Sequence, residues 1–201
     1  MVTCHYKSVV DKERPRGTAG MFWRSGSDSG LIIANYQSNL YNYSMFREMR
    51  RFKQMVSQEE CIRILSEEKR GVLSVIGDEG YPYGVPVNFL YDKTDNCIYF
   101  HCAKSGHKLD SILKCDKVCF TVHDQGYQKD DWSFYVTSVI AFGRAHVMED
   151  GDLKLQKARQ FGAKYYPTEE ELEAELSHAY NRANLICIRI EHMTGKLVHE
   201  K

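Results

Sequence analysis

Regular spacing of hydrophobic residues begins at residue 57 and continues almost to the end of the chain. Ser57-Gln-Glu-Glu60 is a capping-box sequence, in which the serine and the last glutamate each satisfy a backbone N–H group at a helix start. Cys61, Ile64 and Leu65 are then spaced for one face of a helix, and Gly71 is the type of residue at which helices end. We therefore predict a helix that begins after Ser57 and stops near Gly71.

The next part of the chain has the pattern of a β-sheet. Apolar residues alternate with small or polar ones through Val85, Val87 and Phe89, and turn-forming residues separate this run from its neighbours. The run that contains Gly143 is long enough for a strongly bent strand, with the glycine at the bend. Strands are predicted at 72–76, 85–91, 97–102, 118–123 and 134–148, with a short helix at 106–114.

The last part of the chain combines helices with a final strand. Thr168-Glu-Glu-Glu171 is a second capping box, and Pro167 precedes it. Helices are predicted at 152–165 and 168–182, and a strand at 185–191. Short hairpin connections favour antiparallel pairing, and closing such a sheet on itself removes exposed edges. The pattern predicts a mainly β fold, a small antiparallel barrel with peripheral helices.

The first 44 residues have a different character from the rest. Glycine, serine and asparagine are frequent there, and no helical or alternating period persists. This predicts an N-terminal extension with little structure at residues 1–44, followed by one domain at residues 45–201. Met45 is a candidate natural start, because the recognisable pattern begins there.

Composition and charge narrow the classes of function. The chain has 27 basic and 27 acidic residues, so no general attraction to nucleic acid or to an anionic membrane is expected. Seven cysteines without a CxxC pair predict reduced thiols rather than a disulfide framework or a zinc site. The N-terminus lacks the pattern of a signal peptide, so the expected location is the cytoplasm.

The segment from Phe100 to Lys108 is a candidate phosphate site. Its letters, FHCAKSGHK, predict a strand, a tight turn and the start of a helix, where unpaired N–H groups and the positive end of the helix dipole suit a phosphate. Gly106 lets the backbone approach a ligand closely, and Lys104 adds positive charge. The alternative is an ordinary strand-turn-helix with solvated lysines, because the segment has no Walker-type signature.

The segment from Tyr81 to Phe89 is a candidate site for a planar ligand. It contains Pro82 and Pro86, and two prolines predict an edge or bulged strand. Such a strand leaves backbone groups free, and Gly84 has no side chain to block them. A flavin needs donors of this kind at its N1, C2 carbonyl and N5 positions. The alternative is a plain edge strand.

Two histidines adjoin the candidate phosphate turn. His101 alternates with Phe100 and Cys102, so it faces the opposite side of its strand from both. It is either a functional residue beside the turn or a hydrogen-bonded structural histidine. His107, at the helix start, is predicted to help bind the phosphate.

Several segments of the chain together carry a resemblance to a known family. They are Met45–Arg51, Gly84–Asn88, Phe100–Lys108, Ser138-Val139 and Thr194–Lys196. In this order they resemble the nitroimidazole-resistance (Nim) branch of the pyridoxamine 5'-phosphate oxidase-like proteins, over roughly residues 45–196. The resemblance implies a six-stranded antiparallel Greek-key split β-barrel that forms a homodimer, with FMN in a groove shared by the two subunits.

The resemblance also implies which residues hold the flavin. Its phosphate would lie by Lys108 and the 104–106 turn, its ring along 84–88, and His101 in the reactive centre as the candidate catalytic residue. The implied cofactor-binding residues are Gly84, Val85, Pro86, Val87, Asn88, His101, Ala103, Lys104, Ser105, Gly106, His107, Lys108, Ser138 and Val139.

One departure from the family narrows the expected chemistry. True pyridoxamine phosphate oxidases end in a tryptophan-containing segment with an Arg-x-x-x-Pro-like substrate motif, and residues 189–201 contain neither tryptophan nor proline. Oxidation of vitamin B6 is therefore not expected. The sequence favours an FMN-dependent reductase that takes electrons from a reduced carrier and passes them to a small electron-poor acceptor, such as a nitroimidazole.

The alternative function is binding without turnover. A flavin- or haem-binding protein that stores or senses its ligand would need the same fold, and His101 or His123 could then be an axial ligand of a haem.

Overall fold

The computed structural model describes residues 45–199. The predicted extension at residues 1–44 lies outside the described residues. The elements are α1 (Gln58–Glu67), β1 (Arg70–Ile76), β2 (Pro82–Asn88), β3 (Leu90–Asp92), β4 (Cys97–Ala103), α2 (His107–Lys114), β5 (Lys117–His123), β6 (Tyr127–Gln128), β7 (Phe134–Val147), α3 (Asp152–Ala163), α4 (Glu169–Ala179) and β8 (Ala183–His199).

All the strands form one curled antiparallel sheet in the order β2-β1-β5-β7-β8-β4-β3, and the short β6 pairs with β7. Because β3 and β6 are only three and two residues long, the barrel consists mainly of six long strands. The two ends of the sheet, β2 and β3, follow each other directly in the chain. This is the split β-barrel architecture that the sequence predicted.

The core lies inside the curled sheet and is closed by α1 and α2. Phe89, Phe100 and Phe120 are its largest fully buried side chains, and the rings of Phe89 and Phe120 meet edge to face at 5.1 Å. Cys61, Ile64 and Leu65 of α1 cover one end, as their helical spacing predicted. The six cysteines within residues 45–199 are free thiols. No helix in this part of the chain is long and apolar enough to cross a membrane.

Two glycines have roles in strand packing. A Cβ on Gly143 would lie 2.3 Å from the backbone oxygen of Arg189, and the register between β7 and β8 shifts beside it, after Phe142. The predicted bend at Gly143 is confirmed. The prediction for Gly71 was wrong, because α1 already ends at Glu67 and Gly71 lies inside β1. There a Cβ would lie 2.4 Å from the ring of Phe120, so this glycine makes room for the core.

The last strand is much longer than predicted. The sequence indicated a strand at 185–191, whereas β8 runs from Ala183 to His199 and pairs with both β7 and β4. Polar residues near its end interrupt the hydrophobic alternation, so the sequence pattern did not predict the full length of this strand. Its length ties the two halves of the barrel together.

Candidate functional site

The turn between β4 and α2 forms the start of the candidate site. Gly106 is the N-cap of α2 with φ +126°, a backbone conformation that favours glycine, and no side chain caps this helix end. Nothing in the described residues lies within 4 Å of the position that a Cβ on Gly106 would take. Lys104 and Ser105 are exposed beside it. The turn thus offers uncapped N–H groups, open space and positive charge together.

His107 fixes the start of α2 against strand β2. Its ring stacks on the ring of Tyr83 with centroids 4.1 Å apart, and its Nε2 accepts a 3.4 Å hydrogen bond from the N–H of Asp78. At the other end of the helix, Lys114 forms a 3.0 Å ion pair with the same aspartate. The stacking and the hydrogen bond of His107 hold the 104–108 turn next to β2, whereas both side chains of the Lys114–Asp78 pair are exposed and contribute little. The structure thus brings together the two segments that the sequence had singled out.

Lys108 lies where the turn meets the barrel interior. Its ammonium group is 5.6 Å from the centre of the Phe100 ring, and its side chain is partly buried. The stem is therefore supported by the core while the charge stays at the rim. This arrangement restricts the positions that the charge of Lys108 can take.

Strand β2 is the terminal strand of the sheet, which confirms the prediction from its two prolines. Pro82 and Pro86 have no N–H group to donate to β1, so residues of their parity turn their backbone groups away from β1. The backbone N–H groups of Gly84 and Asn88 accordingly face the open edge. The side chains of Val85 and Val87 point towards the interior, and Val87 packs against the core.

The hydrogen bonds of Tyr165 support this orientation of the backbone groups of β2. Residues Arg70 and Asn88 form the last rung of the β1–β2 ladder, so Lys69 and Phe89 would form the next. The Tyr165 hydroxyl takes that place: it accepts from the Phe89 N–H (2.8 Å) and donates to the Lys69 carbonyl oxygen (2.6 Å). Odd-numbered residues of β2 therefore face β1, and even-numbered ones face the open edge.

Removing the Tyr165 hydroxyl is expected to weaken the base of the open edge. Tyr165→Phe leaves the half-buried Phe89 N–H without its partner, so the free energy of unfolding should fall by about 1–3 kcal/mol. Urea unfolding of wild type and variant measures this difference. Tyr166→Phe is the matched control, since its hydroxyl has no hydrogen bond among the described residues, and it should change stability by less than about 0.5 kcal/mol. Equal losses in the two variants would contradict this role.

His101 faces away from the barrel interior, as the alternation predicted. Its ring lies under the helix pair α3 and α4 and meets the ring of Phe161 edge to face at 5.3 Å. Desolvation, and then the positive charge of Lys108, lower the pKa of His101. The imidazole is therefore neutral at neutral pH. His101 therefore lies near the 104–108 turn.

Ser138 and Val139 lie apart from the other predicted site residues. They belong to β7, which two strands separate from β2, a distance of about 14 Å at the usual strand spacing. Val139 is fully buried in the core. Ser138 has the opposite orientation and is partly exposed on the outside of the sheet.

An apolar area on the outside of the sheet was not predicted from the sequence. Val72 and Ile76 of β1 and Ile140 and Phe142 of β7 point outwards and remain 38–50% exposed. We call these four residues the apolar face. The sequences of β1 and β7 contained a signal for this face, because each strand has apolar residues at both odd- and even-numbered positions.

Comparison with known proteins identifies the family. The family profile described as pyridoxamine 5'-phosphate oxidase matches residues 57–197. No match was found among curated protein sequences.

Solved structures support the same fold. One is a candidate 5-nitroimidazole antibiotic resistance protein from Bacteroides thetaiotaomicron, with TM-score 0.62 and 19% identity over 73% of this chain and 87% of that one. Another is the flavocytochrome Anf3 from Azotobacter vinelandii, with TM-score 0.59 and 19% identity over 77% and 74%. A third is a FAD-binding protein from Mycobacterium smegmatis, with TM-score 0.53 and 19% identity over 73% and 98%. Together with the profile match over most of the chain, these structures lead to one conclusion: the chain belongs to the pyridoxamine 5'-phosphate oxidase-like family of split β-barrels.

Proposed function

We propose that this protein binds FMN and uses it to reduce a small electron-poor acceptor, such as a nitroimidazole. The observation that carries the proposal is the position of the α2 N-terminus beside the open edge of β2, held there by the stacked rings of Tyr83 and His107. A flavin with its phosphate at the α2 N-terminus and its ring along the open edge of β2 would use both features at once.

The turn suits the phosphate of a flavin. An anion there would gain hydrogen bonds from the uncapped N–H groups of α2 and the favourable end of its dipole. The ammonium groups of Lys104 and Lys108 supply charge, and Gly106 leaves the approach open. The names of the Mycobacterium smegmatis and Azotobacter vinelandii proteins record flavin binding in proteins of the same fold.

The open edge of β2 suits the flavin ring. The N–H groups of Gly84 and Asn88 can donate to the ring at its N1 and C2 carbonyl side, where negative charge develops when the flavin is reduced. Bound flavin would supply the two-electron chemistry, and the chain's own task is to hold the ring and stabilise that charge. The chain has no Rossmann-type glycine motif, so the reduced carrier would dock only transiently.

The divided arrangement of the predicted site residues supports a homodimer. Residues of β2 and of the 101–108 segment form one group, whereas Ser138 lies on the outside of the sheet about 14 Å away. If two copies pack through the apolar face, Ser138 of one copy can reach the flavin of the other. The zero net charge of the chain does not oppose such self-association.

The test of the cofactor site compares two lysines of the same helix. Lys108→Ala removes the charge at the turn and is expected to weaken FMN binding about 10- to 100-fold, the effect of losing a charge-assisted hydrogen bond. Lys114→Ala removes an exposed lysine from the other end of α2 and should leave the FMN affinity within about twofold. Fluorescence quenching of FMN by the flavin-free protein gives both dissociation constants.

Other outcomes of this experiment separate the competing functions. Unchanged FMN affinity in Lys108→Ala would contradict the phosphate site. The absorption spectrum and the mass of the released cofactor distinguish FMN from FAD and from haem. A protein that holds FMN but does not reduce nitroimidazoles with a chemical reductant present would be the non-catalytic binding protein.

A further inference from the structure

A small pocket lies on the side of β4 that faces away from the barrel interior. It lies between α3 and α4 on one side and β4 and the start of β8 on the other, is partly open to solvent, and has a volume of about 140 Å³. His101 belongs to its lining, whereas the sequence had suggested a role at a flavin or a haem, or a structural role, for this residue. The pocket lies beside the 104–108 turn, outside the open edge of β2.

The helix pair that covers the pocket is held by specific contacts. Gly162 of α3 makes room for Leu172 of α4, whose Cδ1 would lie 2.2 Å from a Cβ on that glycine. On the exposed side, Arg159 forms an ion pair with Glu173. These contacts set the spacing of the two helices that cover the pocket.

The walls of the pocket are mainly apolar. Phe161, Leu176 and Leu185 contribute to them, together with the ring of Tyr180. The ammonium group of Lys154 also reaches this region, but its charge is already used: it forms a 2.7 Å ion pair with Asp150 and lies over the Tyr180 ring. An apolar ligand would therefore meet matching surface on the walls of the pocket.

His101 is the polar group that remains open to a ligand. Its ring meets Phe161, but neither of its nitrogens has a hydrogen-bond partner within residues 45–199. A neutral imidazole carries one donor and one acceptor nitrogen, so it can pair with either a hydroxyl or an amino group. Glu175 lines the same pocket and is exposed, which places the polar end of the pocket at its mouth.

We propose that this pocket binds a neutral, single-ring aromatic molecule whose hydroxyl or amino group hydrogen-bonds to His101. An apolar cavity of about 150 Å³ is known to hold benzene, so the observed volume fits one aromatic ring. The site does not depend on the flavin, and binding is expected in the flavin-free protein as well as in the FMN-loaded one.

Filling the pocket tests its location. Fluorine NMR titrations measure the binding of 4-fluorophenol and of fluorobenzene to the flavin-free and the FMN-loaded protein. Leu176→Trp occupies the space and is expected to weaken both probes at least tenfold. Leu153→Trp changes an exposed leucine of the same helix pair and should leave both affinities unchanged. Equal affinity of wild type and Leu176→Trp for the probes would overturn the proposal, whatever the outcome for FMN.

Changing the polar group tests the role of His101. His101→Phe keeps an aromatic ring and removes the hydrogen bond, so it should weaken 4-fluorophenol about 5- to 10-fold and fluorobenzene by less than about twofold. The thermal unfolding midpoint of each variant confirms that the helix pair is intact. Two outcomes would contradict the assignment of the pocket to a hydrogen-bonding aromatic ligand. One is a wild-type protein that binds neither probe, and the other is an equal loss of affinity for both probes in His101→Phe.

Discussion

Lys157→Met is expected to lower the free energy of unfolding by about 3–4 kcal/mol, the cost of leaving buried charges without their partner. The ammonium group of Lys157 lies 2.7 Å from a carboxylate oxygen of Asp92 and 2.7 Å from one of Asp95. Its side chain is only 7% exposed, and that of Asp92 only 11%. Methionine matches the length of the stem but leaves both carboxylates without the charge that balances them.

The surroundings of Lys157 make this loss hard to compensate. Tyr99 donates a 2.7 Å hydrogen bond to Asp95, and its ring lies 5.0 Å from the Lys157 ammonium group. Lys157 thus connects α3 to strands β3 and β4 through its contacts with Asp92, Asp95 and Tyr99. Water can reach Asp95 more easily than Asp92, so the larger share of the cost is assigned to Asp92.

Lys154→Met is the matched control for this prediction. Lys154 lies on the same helix and its side chain is 5% exposed, but its partner Asp150 is 84% exposed and stays hydrated without it. The control should therefore cost less than about 1 kcal/mol. Urea unfolding of both variants gives the comparison. Adding Asp92→Asn to Lys157→Met should recover part of the loss, and no recovery would argue against the unpaired charge as its cause.

The same cluster predicts how stability depends on acid. Hydrogen bonds from Lys157 and Thr94 lower the pKa of Asp92 to about 2. A carboxyl group whose pKa is lower in the folded state adds stability that is present above its unfolded value and is lost as the pH falls through the folded value. Wild type should lose this contribution between about pH 4 and pH 2, and Lys157→Met should lose less over the same range.

Local patterns in the sequence predicted the local structure well. The Ser57 hydroxyl accepts from the N–H of Glu60, as the capping box requires, and Pro82 and Pro86 do lie on a terminal strand. The bend at Gly143 was also predictable, because glycine in a long strand marks a close approach of backbones. Each of these inferences depends on residues close together in the chain.

Long-range contacts could not be read from the sequence. Lys157 and Asp92 are 65 positions apart, and Tyr165 completes a rung between Lys69 and Phe89 from 76 or more positions away. No local sequence pattern around Lys157 or Tyr165 indicates its distant partner. The pocket at His101 was hidden for the same reason, because two helices from a later part of the chain create it.

The candidate site was predictable only as far as its segments. The structure has the predicted strand-turn-helix at Phe100–Lys108 and the predicted edge strand at Gly84–Asn88. The stacking of Tyr83 on His107 explains how these two segments meet. Which side chains face outwards depends on whether a residue is at an odd or an even position of its strand, and the position of Val139 places its side chain in the core. The apolar face became recognisable only when the strand order was known.

The proposed homodimer would use the centre of that apolar face. Val72 pairs with both Pro86 and Thr121, and Thr121 pairs with Ile140, so one outward-facing row crosses four adjacent strands. Ile140 is 39% exposed at the β7 end of this row. Monomeric proteins leave few contiguous apolar areas of this kind uncovered, so a second copy is the occupant that we propose.

Ile140→Asp is expected to weaken self-association about 30-fold or more, because a charge buried in an interface costs at least about 2 kcal/mol. Sedimentation velocity over a range of concentrations measures the monomer–dimer equilibrium. FMN affinity should fall with it, since Ser138 would then no longer reach the flavin of the other copy. Leu153→Asp adds the same charge at an exposed leucine of α3 and should change neither quantity. A wild type that stays monomeric at all concentrations, or an Ile140→Asp variant that remains dimeric, would show that this face is not the interface.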